Sequence, residues 1–113
     1  MGRREVNPYI LVVDDTPSTL EVIRRNLLNR GFQVLTAMDV PAALDILAKM
    51  PIDLVITDFR MPGQSGLDLV RHVRENHARV EVLMITGYPS VQGAVEALRH
   101  DGFWVGVNTA AST

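Results

Sequence analysis

Residues 9–15, YILVVDD, decide the fold of this chain. The segment opens with five apolar residues that show no helical period, which predicts a short strand buried on both faces. Asp14 and Asp15 follow at the point where this strand ends. Thr16 then predicts a helix N-cap, and Pro17 suits the first position of a helix. The segment therefore predicts a strand, an acidic turn and the start of a helix.

The same alternation continues to the end of the chain. Leu20, Ile23 and Leu27 recur at helical spacing until Gly31, which predicts the end of that helix. Strands that alternate with helices of this length predict parallel βαβ units with right-handed crossovers. The predicted fold class is α/β, with a doubly wound parallel sheet of five strands. The remaining predicted strands are 32–35, 54–57, 80–86 and 103–107, and the remaining helices are 40–49 and those beginning near Ser65 and Ser90.

The composition bounds the class of protein. A chain of 113 residues fits one domain, and a net charge of −2 argues against direct binding of nucleic acid. The absence of cysteine excludes disulfides, thiol catalysis and cysteine-bound zinc. The apolar run Tyr9–Val13 is far shorter than the roughly 20 residues of a membrane span. We expect a cytoplasmic protein that does not contact membranes, with residues 1–8 as a mobile lead-in.

Acidic residues follow two of the predicted strands. Asp14 and Asp15 follow the first strand, Asp58 follows the third, and Thr86 and Gly87 end the fourth. The carboxyl ends of parallel strands meet at one edge of the sheet, so these residues should converge. Each aspartate alone is equally well explained as a helix cap or a loop residue. Three carboxylates together repel one another, and a hard divalent cation with oxygen ligands such as Mg²⁺ relieves the repulsion.

Three segments occur in order at the predicted strand ends: LVVDD, VITDFRMPGQSGLDLV and VLMITGYPSVQGAVEAL. With them the chain resembles the receiver domains of bacterial two-component response regulators, over roughly residues 9–98. The motifs TDFRMPG and ITGY are similar to those of nitrogen-regulation-type transcription activators. The resemblance implies a flavodoxin-like fold with receiver topology, a receiver domain over residues 9–113, and a role in transcription regulation.

The resemblance also implies roles for individual residues. Asp58 matches the phosphoacceptor, and Asp14 and Asp15 match the acidic pair that holds Mg²⁺ together with Asp58. Arg60 matches the position whose backbone carbonyl completes the metal site, and Thr86 matches the hydroxyl that turns toward the phosphoryl group. The residues that match the loops shaping the site are Met61, Pro62, Gly66 and Gly87.

A protein of this kind receives its phosphoryl group from a histidine kinase. The function implied by the resemblance is therefore that of a phosphoacceptor in a two-component system, with Mg²⁺ as the cofactor. It implies no enzymatic activity on other molecules, and at most Mg²⁺-dependent self-phosphorylation and self-dephosphorylation.

The C-terminal end departs from the family pattern. Receivers carry a lysine at the end of the fifth strand, which should fall near Asn108 or Thr109, whereas Lys49 is the only lysine of this chain. The residues after the fifth predicted strand are also too few and too weakly patterned for the final helix of a receiver. We expect a truncated or frame-altered C-terminus, with the final helix missing. The apolar surface that this would expose predicts either a homodimer or a rearranged C-terminal segment.

Two other functions remain open at this stage. The missing lysine favours a degenerate receiver that is not phosphorylated and acts as a protein-interaction module. An Mg²⁺-dependent phosphatase is disfavoured, because Phe59 and Arg60 follow Asp58 and no second acid stands two residues on as a general acid. His72 and His77 would lie about 140° apart on one helix, which makes them poor joint metal ligands.

Overall fold

Parallel strands form one sheet, in the order β2-β1-β3-β4-β5, in this computed structural model, which describes residues 8–58, 66–85 and 103–106. The strands are β1 (Tyr9–Val13), β2 (Gln33–Ala37), β3 (Leu54–Asp58), β4 (Glu81–Ile85) and β5 (Phe103–Gly106). The helices are α1 (Pro17–Asn29), α2 (Val40–Lys49) and α3 (Gly66–Asn76). The predicted parallel α/β architecture is confirmed by β1–β4 and α1–α3. The predicted lead-in, the helix from Ser90 and the chain end lie outside the described residues.

The core consists of two clusters, one on each face of the sheet. We call the first the α1 half-core; it joins α1 to alternate strand residues such as Ile10 and Val12. The second, the α2–α3 half-core, joins those two helices to the intervening strand residues, such as Leu11 and Val13. Alternate residues of a strand point to opposite faces, so the continuous apolar run of β1 supplies both half-cores. Both β1 and β3 are interior strands of the sheet, and apolar residues are required on both of their faces.

Asp53 fixes the amino ends of three strands. Its carboxylate accepts a hydrogen bond from the Tyr9 backbone N–H (2.8 Å), and its own N–H donates to the Tyr9 carbonyl (2.8 Å). The Asp53 carbonyl in turn accepts from the Glu81 N–H (3.1 Å). One residue thus joins the starts of β1, β3 and β4 through hydrogen bonds to their backbone groups.

The helix ends follow the sequence signals in most places. Asp39 caps α2, since its carboxylate accepts from the Ala42 N–H (2.8 Å). Gly31 ends α1 with a φ of +94°, a conformation that glycine adopts without steric cost.

The buried face of α3 differs from the one that its spacing indicates. Leu67 shares the helical spacing of Val70, but its side chain is 46% exposed. Leu69 takes the buried position in α3 instead.

No helix in the described part of the chain is long and apolar enough to cross a membrane.

Candidate functional site

Asp14 is positioned by the last hydrogen bonds of β1. Its N–H donates to the Ala37 carbonyl at the end of β2 (3.1 Å), which continues the parallel ladder by one residue. Its carboxylate Oδ1 accepts from the Thr16 N–H (2.8 Å), and the side chain is only 7% exposed. Thr16 stands at the predicted N-cap position, but its own side chain makes no capping hydrogen bond. Asp14 therefore holds the turn into α1 while presenting a carboxylate at the sheet edge.

Asp58 is the last residue of β3, the strand next to β1. Its register partner on the other side is Ile85, the last residue of β4. The preceding residue, Thr57, is fully buried, and its hydroxyl donates to the Asp58 carbonyl (3.0 Å). Asp58 is half-buried, and its carboxylate lies at the same edge of the sheet as that of Asp14.

Three carboxylates meet at this edge. Asp14, Asp15 and Asp58 each offer one oxygen, and these oxygens all lie within 4.8 Å of one another. Burial raises the pKa of Asp14, and the neighbouring charges of Asp58 and Asp15 raise it further, while hydrogen bonds from Thr16 oppose the rise. Asp15 is more open to solvent than Asp14. The convergence predicted from the strand ends is therefore present in the structure.

The donor set of this acidic cluster fits Mg²⁺. Hard divalent cations take oxygen ligands, and Mg²⁺ is usually held by one or two carboxylates while it keeps several waters. A cation would also offset the repulsion from Asp58 and Asp15, which adds to the effect of burial in raising the pKa of Asp14. The side chains available to hold it are those of Asp14, Asp15 and Asp58.

The other predicted site residues are placed only in part. Gly66 is the first residue of α3 and is buried there. Lys49 stands in the last turn of α2, where it pairs with Asp45 (3.2 Å) and is 69% exposed. Because α2 starts after the carboxyl end of β2, its last turn lies toward the opposite edge of the sheet. The predicted residues that lie outside the described part of the chain are Arg60, Met61, Pro62, Thr86 and Gly87.

Thr57 was not singled out from the sequence. It is a buried polar residue directly before Asp58, and its hydroxyl bonds to the backbone of that residue. The available signal was a hydroxyl residue inside the otherwise apolar run LVIT, which needs a hydrogen-bond partner once it is buried. The structure thus adds a residue that helps to fix the backbone at Asp58.

Comparison with known proteins agrees with this arrangement. The response regulator receiver domain family matches residues 10–104. The response regulator protein PilR of Pseudomonas aeruginosa is 39% identical over 93 residues, which are 82% of this chain and 21% of PilR. The DNA-binding transcriptional regulator NtrC of Escherichia coli is 31% identical over 94 residues, 83% of this chain and 20% of NtrC. The predicted similarity to nitrogen-regulation-type activators is confirmed.

A solved structure shows the same fold. The response regulator protein TrrA of Thermotoga maritima, in complex with Mg²⁺ and BeF, superposes with a TM-score of 0.70 at 31% identity, covering 87% of this chain and 85% of that one. The chain spans about a fifth of the length of the curated relatives it matches. By the extent of the family match and by its fold, the chain belongs to the response regulator receiver domain family.

Proposed function

We propose that this chain is a phosphoacceptor: a histidine kinase donates a phosphoryl group, with Mg²⁺ present, to Asp58. The observation that carries the proposal is the convergence of three carboxylates within 4.8 Å at the carboxyl ends of β1 and β3. A catalytic carboxylate in a parallel α/β sheet is expected at this edge. The membership of the chain in the receiver family supports the same reading.

The reaction is a transfer between two nucleophiles. A carboxylate oxygen of Asp58 attacks the phosphorus of a phosphohistidine, and the bond between phosphorus and the imidazole nitrogen breaks as the new O–P bond forms. The imidazole leaves with the electron pair of the broken bond and takes up a proton. The product is an acyl phosphate on Asp58, which hydrolysis returns to the carboxylate. We expect no turnover of other substrates.

The surrounding residues position this carboxylate. Asp14 and Asp15 would hold Mg²⁺ together with Asp58 and the Arg60 carbonyl, and the ion supplies charge neutralisation for the transferring phosphoryl group. The Thr57 hydroxyl bonds to the Asp58 carbonyl, which supports the backbone where β3 ends. The proposed role of Thr86 is to donate its hydroxyl to the phosphoryl oxygen, and the loops of Met61, Pro62, Gly66 and Gly87 shape the space around it.

A degenerate receiver that acts by protein contact is the second candidate. The observation that favours it is the position of Lys49, the only lysine of the chain, in the last turn of α2 and paired with Asp45. Lys49 does not lie at a strand end where it could contact a phosphoryl group. Against this second candidate, the lysine of other receivers supplies only one charge-assisted hydrogen bond, worth roughly 1–3 kcal/mol. Its absence should therefore slow phosphorylation of Asp58 without preventing it.

The relatives suggest which process the phosphorylation of Asp58 would control. PilR and NtrC are about five times longer than the matched region, and NtrC is a DNA-binding transcriptional regulator. We propose that the phosphorylation state of Asp58 controls transcription in the cytoplasm through another domain or partner, and not through nucleic-acid binding by residues 9–113.

A small acyl-phosphate donor tests the proposal. The chain is incubated with radiolabelled acetyl phosphate and Mg²⁺, and the label is followed on the protein by mass and by lability to hydroxylamine. We expect one labile label in the wild type and none in Asp58→Asn or without Mg²⁺. A folded wild-type chain that takes no label would favour the degenerate receiver, and steady release of phosphate from phosphomonoesters would favour a phosphatase.

A further inference from the structure

Two histidines lie together at the end of α3, away from the acidic cluster. The ring centroids of His72 and His77 are 5.7 Å apart and their planes are inclined by 44°. The prediction that the two rings diverge is wrong, because it placed both residues on one helix. The helix ends at Asn76, and His77 starts the turn that leads to β4. Leaving the helix brings the second ring back toward the first.

The separation of the rings suits joint coordination of one ion. An ion held about 2.0–2.1 Å from an imidazole nitrogen lies about 3.2 Å from the ring centroid, so two rings on one ion have centroids at most about 6.4 Å apart. The observed 5.7 Å falls inside this limit. Both residues are partly exposed, so an ion and its remaining water ligands can reach them. We propose that His72 and His77 form a surface site for a divalent transition-metal ion that prefers imidazole, such as Zn²⁺.

The neighbouring residues restrain both ligands. The Asn76 side-chain amide lies 3.4 Å from Nδ1 of His72, and its Nδ2 donates to the His72 carbonyl (3.0 Å). A partner on one ring nitrogen orients the ring and leaves the other nitrogen, Nε2, for a metal. The backbone of His77 is held by two hydrogen bonds, to the Val73 carbonyl (2.7 Å) and from the Val80 N–H (2.9 Å).

The chemistry of this site separates it from the acidic cluster. Imidazole suits Zn²⁺, Cu²⁺ and Ni²⁺, whereas carboxylate and carbonyl oxygens suit Mg²⁺. The chain has no cysteine and only three histidines, so His100 is the one imidazole outside this pair. The turn from α3 to β4 lies at the amino end of β4, and Asp58 lies at the carboxyl end of the neighbouring strand. The two sites should therefore bind their ions independently.

An ion at this site would join α3 to the turn before β4. A ligand that binds only the folded chain stabilises it by mass action. Zn²⁺ should therefore raise the midpoint of thermal unfolding of the full chain, and this rise should disappear when either histidine is replaced. Saturating Mg²⁺ leaves the effect in place, because it occupies the carboxylates.

A zinc titration tests the assignment. Zn²⁺ is added to the full chain in excess Mg²⁺, and the histidine ring signals are followed by NMR while calorimetry gives the affinity. We expect the His72 and His77 signals to shift together, and His72→Gln and His77→Gln each to weaken binding at least about tenfold. His100→Gln is the matched control and should leave the affinity unchanged, as should Asp15→Asn.

Two results would overturn the proposal. One is equal zinc affinity in the wild type, His72→Gln and His77→Gln. The other is a loss in His100→Gln as large as that in either paired variant, which would move the site elsewhere. The wild-type ring signals report the ligands without any substitution, so the test survives if a variant folds poorly.

Discussion

Asp53 and Asp14 flank strands of the same sheet at opposite ends, and their carboxylates do different things. Asp53 precedes β3, and its side chain accepts from the Tyr9 N–H at the start of β1. Asp14 follows β1 and meets Asp15 and Asp58 within 4.8 Å. The first aspartate satisfies backbone donors, whereas the second is buried beside two like charges, and the burial together with those charges raises its pKa.

The direction of the strands accounts for this difference. At the amino end of β1, the Tyr9 N–H is satisfied by the Asp53 side chain, which continues the hydrogen bonding between neighbouring strands. At the carboxyl ends, the chain turns into helices and side chains from neighbouring strands converge. An aspartate beside a strand is therefore structural or functional according to the end at which it lies, and its sequence neighbours alone do not distinguish the two cases.

The largest expected difference between variants at the two ends of the sheet is in Mg²⁺ affinity. Asp15→Asn removes one of three charges from the acidic cluster, so we expect Mg²⁺ binding to weaken at least about tenfold. Asp53→Asn is the matched control at the other end of the sheet and should bind Mg²⁺ as the wild type does. Calorimetry measures both. Equal affinity in Asp15→Asn and the wild type would remove the acidic cluster from consideration as the metal site.

The next effect is on stability, and here it is the substitution of Asp53 that should matter, the reverse of the pattern for Mg²⁺ affinity. Asp53→Ala leaves the Tyr9 N–H without its 2.8 Å acceptor, and we expect the free energy of unfolding to fall by about 1 kcal/mol. The effect is modest because water can reach this end of the sheet. Urea unfolding without Mg²⁺ gives the value. A loss of Mg²⁺ affinity in this variant, with stability unchanged, would contradict the structural role of Asp53.

A smaller effect concerns the pH dependence of the metal-free chain. The pKa of Asp14 is raised on folding, so the folded chain binds more protons than the unfolded chain between the two pKa values. The contribution of Asp14 to the free energy of unfolding therefore falls as pH rises through that window. Relative to the wild type, Asp14→Asn should become more stable as pH increases, because asparagine keeps an oxygen for the Thr16 N–H but carries no charge.

Urea unfolding of both proteins at several pH values, with chelator present, tests this sign. Saturating Mg²⁺ should reduce or reverse the advantage of the variant, since the ion compensates the charge in the wild type only. A difference that stays constant with pH would show that Asp14 does not carry the expected perturbation.

The smallest expected effect is that of Lys49→Gln. Lys49 pairs with Asp45 on the exposed surface of α2, and such pairs contribute little to stability. We expect the rate of labelling by acetyl phosphate to remain within about twofold of the wild type. A large fall in that rate would mean that Lys49 reaches the phosphoryl group, which its place in the last turn of α2 argues against.

The sequence predicted the centre of the molecule better than its margins. The bounds of β1 and α2 are those predicted, because an apolar run and a capping aspartate define them. The strand β2 begins at Gln33 and extends to Ala37, two residues beyond the predicted end. Edge strands carry mixed polarity, so the apolar pattern does not mark their ends.

The sequence likewise predicted some features of the candidate site and missed others. Asp14, Asp15 and Asp58 were located because strand ends in a parallel sheet converge. The hydrogen bond from Thr57 and the pairing of His72 with His77 were not, since both depend on local backbone geometry. A one-residue difference in where α3 ends changes the direction of the His77 side chain, and helical periodicity does not determine such an end.

The division of the core has a consequence for how the sequence can vary. Each half-core draws on its own set of alternate strand residues, and the shared element between them is the backbone of the sheet. A change of volume at Leu27 of α1 can be compensated by its neighbours on that face of the sheet, without any adjustment of Leu69 of α3 on the other face. Related chains should therefore show correlated substitutions within each half-core, and substitutions in one half-core should be nearly independent of those in the other. One face of the sheet can then adapt to a new partner while the other preserves the fold.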